Sequence, residues 1–337
     1  MKRFGSSAKS KRFPLAQEHC TDIFGRKGGG PEVQVFLITV SKQLRRNWDL
    51  YLLILPVLAY VAIFQYIPMY GVQIAFKNYI ATMGIWDSPW IGLDHFQRFF
   101  KSYYFWDLIW NTLGLSLYQL LVGFPVPILL ALMLNEVGGK RFKKTVQTIT
   151  YAPHFISIVV LVGMLTMFLS PQTGIVNRVI ELAGGKAIYF MGDASMFKSI
   201  YVFSGVWQHM GWGSIIYIAA LASVDPLLHE AAVMEGATRM QRIRHINIPA
   251  LIPTAIILFI LDMGSIMNVG FEKVFLMQND LNRVGSDVIS TFVYRSGILG
   301  AEYGFSTAVG LFNSLINFTL LIMVNAAARK TSDTSLW

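Results

Sequence analysis

Two sets of residues in this sequence have types and spacings that could do chemistry. The first is the run Asp225-Pro226-Leu227-Leu228-His229-Glu230-Ala231-Ala232-Val233-Met234-Glu235-Gly236-Ala237-Thr238. Glu230 to Met234 is good helix-forming sequence. Gly236 permits a left-handed or tight turn that a residue with a Cβ would resist. Arg239 to Ile248 can form a second short helix, with Arg242 and His245 on one face and Ile243 and Ile246 on another. Pro249 and Pro253 are expected to end it and to start the next span. The segment is too polar to cross a membrane and too patterned to be a linker. The second set is polar residues inside apolar stretches: Tyr118, Gln119, His209, Trp212, Asp262, Asn268, Asn313 and Asn317. At 100° per residue, Asp262, Ser265, Val269 and Glu272 fall within one narrow arc of a helix. Gly205, His209, Trp212 and Ile216 share a face of another. Planar hydrogen-bonding groups beside aromatic faces suit a hydroxyl-rich solute. The same residues serve equally as glue between helices. Glu272 beside Lys273 also reads as a pair at a span end.

Bond-making chemistry is poorly supported. The histidines are scattered, with no H-E-x-x-H, and G-x-S-x-G is absent. The single cysteine, Cys20, excludes a disulfide framework and a Cys-based metal site. Gly28-Gly29-Gly30-Pro31 has no following Lys, so the chain has no phosphate-binding G-x-x-x-x-G-K-[ST] loop. No catalytic residue, metal site or cofactor site is assigned to it.

The elements that must carry these residues follow from composition. The 337 residues are 54% hydrophobic and only 14% charged, against about 25% charged in an ordinary soluble domain. A bilayer core of about 30 Å needs roughly 20 apolar helical residues. Six stretches qualify, near 50–76, 108–134, 149–169, 200–221, 251–271 and 306–326. Pro56 and Pro68 should kink or interrupt the first, and Pro125 and Pro127 the second. The net charge is +9. Residues 1–47 hold ten Lys and Arg, the 135–147 loop four, the 222–250 loop three and the C-terminal tail two, nineteen in all. The opposite loops hold eight. The positive-inside rule puts both termini in the cytoplasm. The charge is therefore an orientation signal, and nucleic acid need not be invoked. Trp86, Trp90, Trp106, Trp110, Tyr103 and Tyr104 read as an interfacial belt, with direct solute contact as the alternative. Residues 1–31 read as a Ser-, Lys-, Arg- and Gly-rich flexible tail without the apolar core of a signal peptide. Residues 33–44 suit either a short interfacial helix or a loose linker.

Glu-Ala-Ala, three residues, Gly-Ala, then nine residues to Asn-Ile-Pro resembles the EAA loop of membrane subunits of bacterial binding-protein-dependent ABC importers. Glu235 stands where the family pattern has Asp, and Ile248 where it has Leu. Trp90-Ile91-Gly92-Leu93-Asp94-His95-Phe96, Trp106 and Asn111-Thr112-Leu113 resemble the W-x-G-L-x-N-F and N-T-L segments of carbohydrate-uptake permeases of the maltose type, with His95 in place of Asn. The resemblance implies an all-α integral membrane protein. It has six transmembrane helices of the type I ABC importer permease fold and a cytoplasmic coupling helix. The tail would be 1–47, the permease domain 48–330 with its EAA loop at 222–252, and a second tail 331–337. It implies that Glu230, Ala231, Ala232, Glu235, Gly236, Ala237 and Pro249 form the contact to a cytoplasmic ATPase. The sugar path would lie on the spans flanking that loop, where His209, Trp212, Asp262 and Asn268 are, with Tyr118 and Gln119 on span two. ATP and Mg would sit on an ATPase pair. The other partners would be a second, related permease forming a heterodimer, an extracytoplasmic solute-binding protein received by loops 77–105, 171–198 and 277–305, an oligosaccharide and the lipid bilayer of the bacterial cytoplasmic membrane. The alternative class is an ion-coupled secondary transporter. It would need intramembrane coupling carboxylates and inverted repeats, for which Asp262 alone is thin support.

Overall fold

In a computed structural model of the chain, residues 47–331 and 335–336 are described. The expected basic tail, the candidate interfacial helix at 33–44 and most of 331–337 lie outside them. The chain divides into two compact units at Met69 and Tyr70. In the first, α1 (Trp48–Val61) continues through a π-helical turn, Ala62–Tyr66, to Met69. The wide turn lies just before Pro68, whose ring lacks a donor and crowds the carbonyl four residues back, whereas Pro56 sits inside α1 without interrupting it. None of the residues from Trp48 to Met69 is buried, as suits a surface left for lipid or for another chain.

The second unit opens with a 3₁₀ turn, Tyr70–Phe76, which completes the apolar run Trp48–Phe76. It then carries α2 (Asp94–Phe100), α3 (Phe105–Gly123), α4 (Pro125–Glu136), α5 (Lys140–Tyr151), α6 (Ile158–Phe168), α7 (Ile175–Leu182), α8 (Ala194–Ala222), α9 (Pro226–Met234), α10 (Arg239–Met263), α11 (Phe271–Met277), α12 (Ile289–Tyr294) and α13 (Tyr303–Thr331). The described residues form no strand, only an isolated bridge between Lys77 and Trp90. Helix α3 yields to α4 at Phe124, just before Pro125.

Four runs are long and apolar enough to span singly: Trp48–Phe76, Phe105–Glu136, Arg239–Met263 and Tyr303–Lys330. Two further spans count only as bent pairs. Three expectations are corrected here. The span at 149–169 is broken. Lys140–Phe155 and Ile158–Phe168 meet at 100°, because Pro153 closes a 3₁₀ turn and Ser157 starts α6 afresh, its hydroxyl accepting from Val160 N. At 1.5 Å per residue the 11-residue α6 is about 16 Å long, half a bilayer core. The span at 251–271 begins earlier and stops at Met263. Asn268 and Glu272 therefore leave the helix on which the polar arc was drawn. Pro249 ends nothing: α10 runs through it, and a π-helical turn at Ile243–Asn247 precedes it, supplying the slack that a prolyl ring demands.

Three buried clusters hold the bundle. Phe99, Leu108, Ile266, Met267, Ile289 and Phe305 pack α2, α3, α12 and α13 together. Leu115, Val162, Phe197, Tyr201, Val274 and Met277 join α3, α6, α8 and α11. Ala131, Leu132, Tyr217, Leu221 and Leu251 seal α4, α8 and α10 near the EAA-like segment. Between the helices at the opposite end, polar side chains stitch the loops. Asn177 donates to the carbonyls of Leu169, Ser170 and Ile188 and accepts from Ile188 N. Asn279 and Asn282 both donate to Met191 O. Arg98 pairs with Glu302 at 2.8 Å. Asp193 caps α8 by accepting from Ser195, and those hydrogen bonds hold its carboxyl below the usual carboxylate range.

Helix α8 crosses α5 at Gly211, where a Cβ would land on the Thr150 carbonyl. Gly211→Ala is expected to destabilise the protein by about 1–3 kcal/mol, the usual cost of overpacking. Gly163→Ala, with open space at its Cβ position, should be neutral or slightly stabilising. Thermal unfolding of the two variants in detergent measures the difference.

Candidate functional site

The EAA-like segment folds as a short helix, α9, joined by a defined turn to the start of the long α10. Helix α9 starts at Pro226 behind Asp225, whose carboxylate accepts from Leu227 N at 2.9 Å. It ends in a Schellman motif. Gly236 has φ +80°, Gly236 N bonds Val233 O, and Ala237 N bonds Ala232 O at 2.8 Å. Thr238 then opens α10 with a capping box, its hydroxyl and Gln241 closing on each other's backbone. The glycine turn foreseen at Gly236 is present, and stop and start signals occupy three consecutive residues.

This unit is almost wholly exposed. Glu230, Ala231, Glu235, Gly236 and Pro249 are exposed, and Ala232 and Ala237 are half-buried. So are apolar side chains that water does not favour: Leu227, Leu228, Val233, and Met234 at 88% exposure. An exposed apolar cluster of this kind marks a contact surface. The base of the unit is braced. Glu136, at the end of α4, accepts from Asn247 Nδ2 at 3.3 Å and lies 3.9 Å from the Arg242 guanidinium. Asn247 is fully buried. Glu136 did not stand out in the sequence, and Asn247 entered only as part of the Asn-Ile-Pro pattern. Each sits at the margin of a span, where a polar residue is ordinary.

The intramembrane polar residues separate into two places. A cavity of about 520 Å³ opens between α3, α8 and the end of α10. Gln119, His209, Asp262 and Asn268 line it, and Trp212 and Tyr118 do not. Trp212 turns away, because its ring stacks on His154 at 4.4 Å and 3°. His154 Nδ1 also lies 3.2 Å from His209 Nδ1. Tyr118 packs against Phe203 and lies 3.5 Å from the Ser199 hydroxyl. Asn268 is held by glue as well as facing the cavity, since its carbonyl oxygen accepts from Asn313 and Asn317. Glu272 is exposed and Lys273 buried, and they form no ion pair. Lys273 instead enters the cavity wall and donates to Tyr201 O at 2.8 Å. Gln208 supports the wall from behind by donating to Ile156 O at 2.8 Å. The sequence held no signal for Lys273 as a wall residue, because a regular helix through Phe271 would have placed it at a span end.

A helical membrane chain with no strand among its described residues, an exposed helix–turn–helix at one end and a polar cavity between its helices has the architecture of a permease subunit. The chain belongs to the family of inner membrane components of binding-protein-dependent transport systems, whose pattern matches residues 123–333. It is 44% identical to protein LplB of Bacillus subtilis (strain 168) over 294 residues, 87% of this chain and 92% of that one. It is 41% identical to the polygalacturonan/rhamnogalacturonan transport system permease protein YteP of the same organism, over 86% of this chain and 90% of the relative. Among solved structures it is similar, at a TM-score of 0.82 and 43% identity, to a chain of a bacterial alginate ABC transporter in complex with an alginate pentasaccharide-bound periplasmic protein. That match covers 88% of this chain and 99% of the other. The fold is that of a type I ABC importer permease, and the secondary-transporter alternative falls away.

A residue with a Cβ at Gly236 would have to hold a left-handed backbone at a cost of about 1–2 kcal/mol. Gly236→Ala should therefore speed amide hydrogen exchange across 232–238 by about tenfold without altering exchange in α8.

Proposed function

We propose that this permease forms half of the translocation path for an oligosaccharide released from a polymer, alginate or a plant polymer, in an ATP-driven importer. The observation that carries the coupling role is the exposed, doubly capped α9 with Leu227, Leu228, Val233 and Met234 uncovered. A helix of that kind is a docking element for another chain. Its partner in this reading is a cytoplasmic ATPase pair that holds ATP and Mg. Glu230 supplies a charge contact, Gly236 the turn, and Ala231, Ala232 and Ala237 a surface small enough for close approach. Glu235 and Pro249 flank that contact. The brace from Glu136 to Arg242 and Asn247 transmits movement of the docked unit into α4 and α10.

The sugar reading is supported by the polar cavity and by what two similar proteins are named for. Gln119, His209, Asp262 and Asn268 present donors and acceptors to hydroxyl groups within a volume suited to a short sugar segment. A second, related permease supplies the other wall, and a solute-binding protein delivers the sugar to the outer loops. The stitching of those loops by Asn177, Asn279 and Asn282 suits a rigid landing platform. Both termini are cytoplasmic in this reading, as the distribution of Lys and Arg requires. Trp212 supports the wall through His154 rather than touching sugar.

In vesicles holding the assembled importer, Glu230→Lys and Gly236→Pro should leave the chain in the membrane yet abolish the ATPase stimulation caused by sugar-loaded binding protein. Wild-type uptake in both variants would overturn the coupling assignment. Asp262→Ala should raise the KM for oligosaccharide uptake about tenfold, the effect of losing a charged hydrogen-bond partner. Unchanged uptake kinetics would remove Asp262 from the path.

A further inference from the structure

Lys273 is a charge without a counter-charge. Its side chain is buried at 6% exposure and borders the cavity. Its ammonium donates to Tyr201 O at 2.8 Å and lies 4.6 Å from the centre of the Tyr201 ring. Among the described residues it joins no ion pair. The four pairs present are Arg98 with Glu302, Arg242 with Glu136, Arg283 with Asp280 and Arg295 with Asp287. Asp262 lines the same cavity but does not reach it. A buried ammonium is costly unless it is paired, and it has three donors of which a carbonyl takes one.

The surroundings leave room for what is missing. A Cβ on Gly205 would lie 3.2 Å from Lys273 Nζ and 3.4 Å from Gln119 Oε1. The lysine and the amide therefore converge over a wall position that has no side chain. Gln119 Oε1 and, one turn earlier on α3, Ser116 Oγ are buried without any partner and line the same cavity. The wall thus offers a cation and two unfilled polar atoms over a glycine.

From this we infer that Lys273 binds a carboxylate of the transported molecule, so that the permease itself selects an acidic sugar, a uronate, over a neutral one. The inference rests on the oligosaccharide reading and names the chemical class within it. Lys273 Nζ donates to the carboxylate, while Gln119 Oε1 and Ser116 Oγ accept from neighbouring sugar hydroxyls. Asp262, elsewhere on the lining, repels the carboxylate and accepts from hydroxyls, which fixes the direction of the bound sugar. A single ammonium, rather than an arginine fork, gives a contact that releases its ligand readily.

The test is equilibrium binding to the purified, assembled importer without its binding protein, using a uronate trisaccharide and the same trisaccharide with its carboxylates reduced to alcohols. The wild type should favour the uronate by about tenfold or more, the range for a charge-assisted hydrogen bond. Lys273→Met should weaken the uronate to the level of the reduced sugar while leaving the reduced sugar unchanged, which also shows that the variant is folded. Lys273→Arg should keep the preference. Equal affinities in the wild type, or equal weakening of both sugars by Lys273→Met, would overturn the lysine assignment alone. If the wild type binds neither sugar, the oligosaccharide reading falls with it.

Discussion

Hydrocarbon offers no hydrogen bonds, so every backbone group freed by a helix break in this chain must find its partner inside the protein. The helices break often, and several breaks are answered by a particular side chain. Where α5 turns into α6, the carbonyl of Ile156 is met by Gln208. Beyond the end of α10, Met267 N is met by Asn317 Oδ1. At the start of α12, Ile289 N is met by the hydroxyl of Thr112, far away in sequence. These bonds cross between helices, so they fix the packing as they satisfy the backbone. They also explain why buried polar residues are common in so apolar a bundle.

That requirement shapes the cavity. A straight span from 251 to 271 would have carried its polar arc along one wall. The break at Met263 instead folds Ser265, Asn268 and Val269 across the cavity and swings Lys273 into its side. The break is possible because Asn313 and Asn317 on α13 hold the loop through Asn268 and Met267. The residues that look like glue and the residues that face the cavity are partly the same ones. Asn268 does both, and the two readings of intramembrane polarity are not exclusive.

At the other end of the molecule the economy is reversed. Helix α9 makes few contacts within the chain, and its order comes from its own caps: Asp225 at the start, Gly236 at the end, and Thr238 with Gln241 immediately beyond. A locally specified element can keep its shape while leaving Leu227 and Met234 exposed. The brace at Glu136, Arg242 and Asn247 ties the start of α10, just beyond it, to α4.

The local features were legible in the sequence. The EAA-like turn is encoded within about fourteen consecutive residues, because capping, the Schellman turn and helix propensity act over a single helical turn. Apolar content depends on composition and order alone, so the membrane class and the apolar runs could be read from it. The cavity wall could not. Whether α10 stops at Met263 depends on Asn313 and Asn317, some fifty residues away. Whether Trp212 faces solute or His154 depends on a turn at Pro153. Lys273 became a wall residue only through the fold of the loop before it. Sequence by itself determined the class of protein, its apolar runs and its capped helix and turn, since short-range physics suffices for those. Tertiary structure alone decided which polar side chains meet around one space, since that rests on contacts between helices distant in the chain.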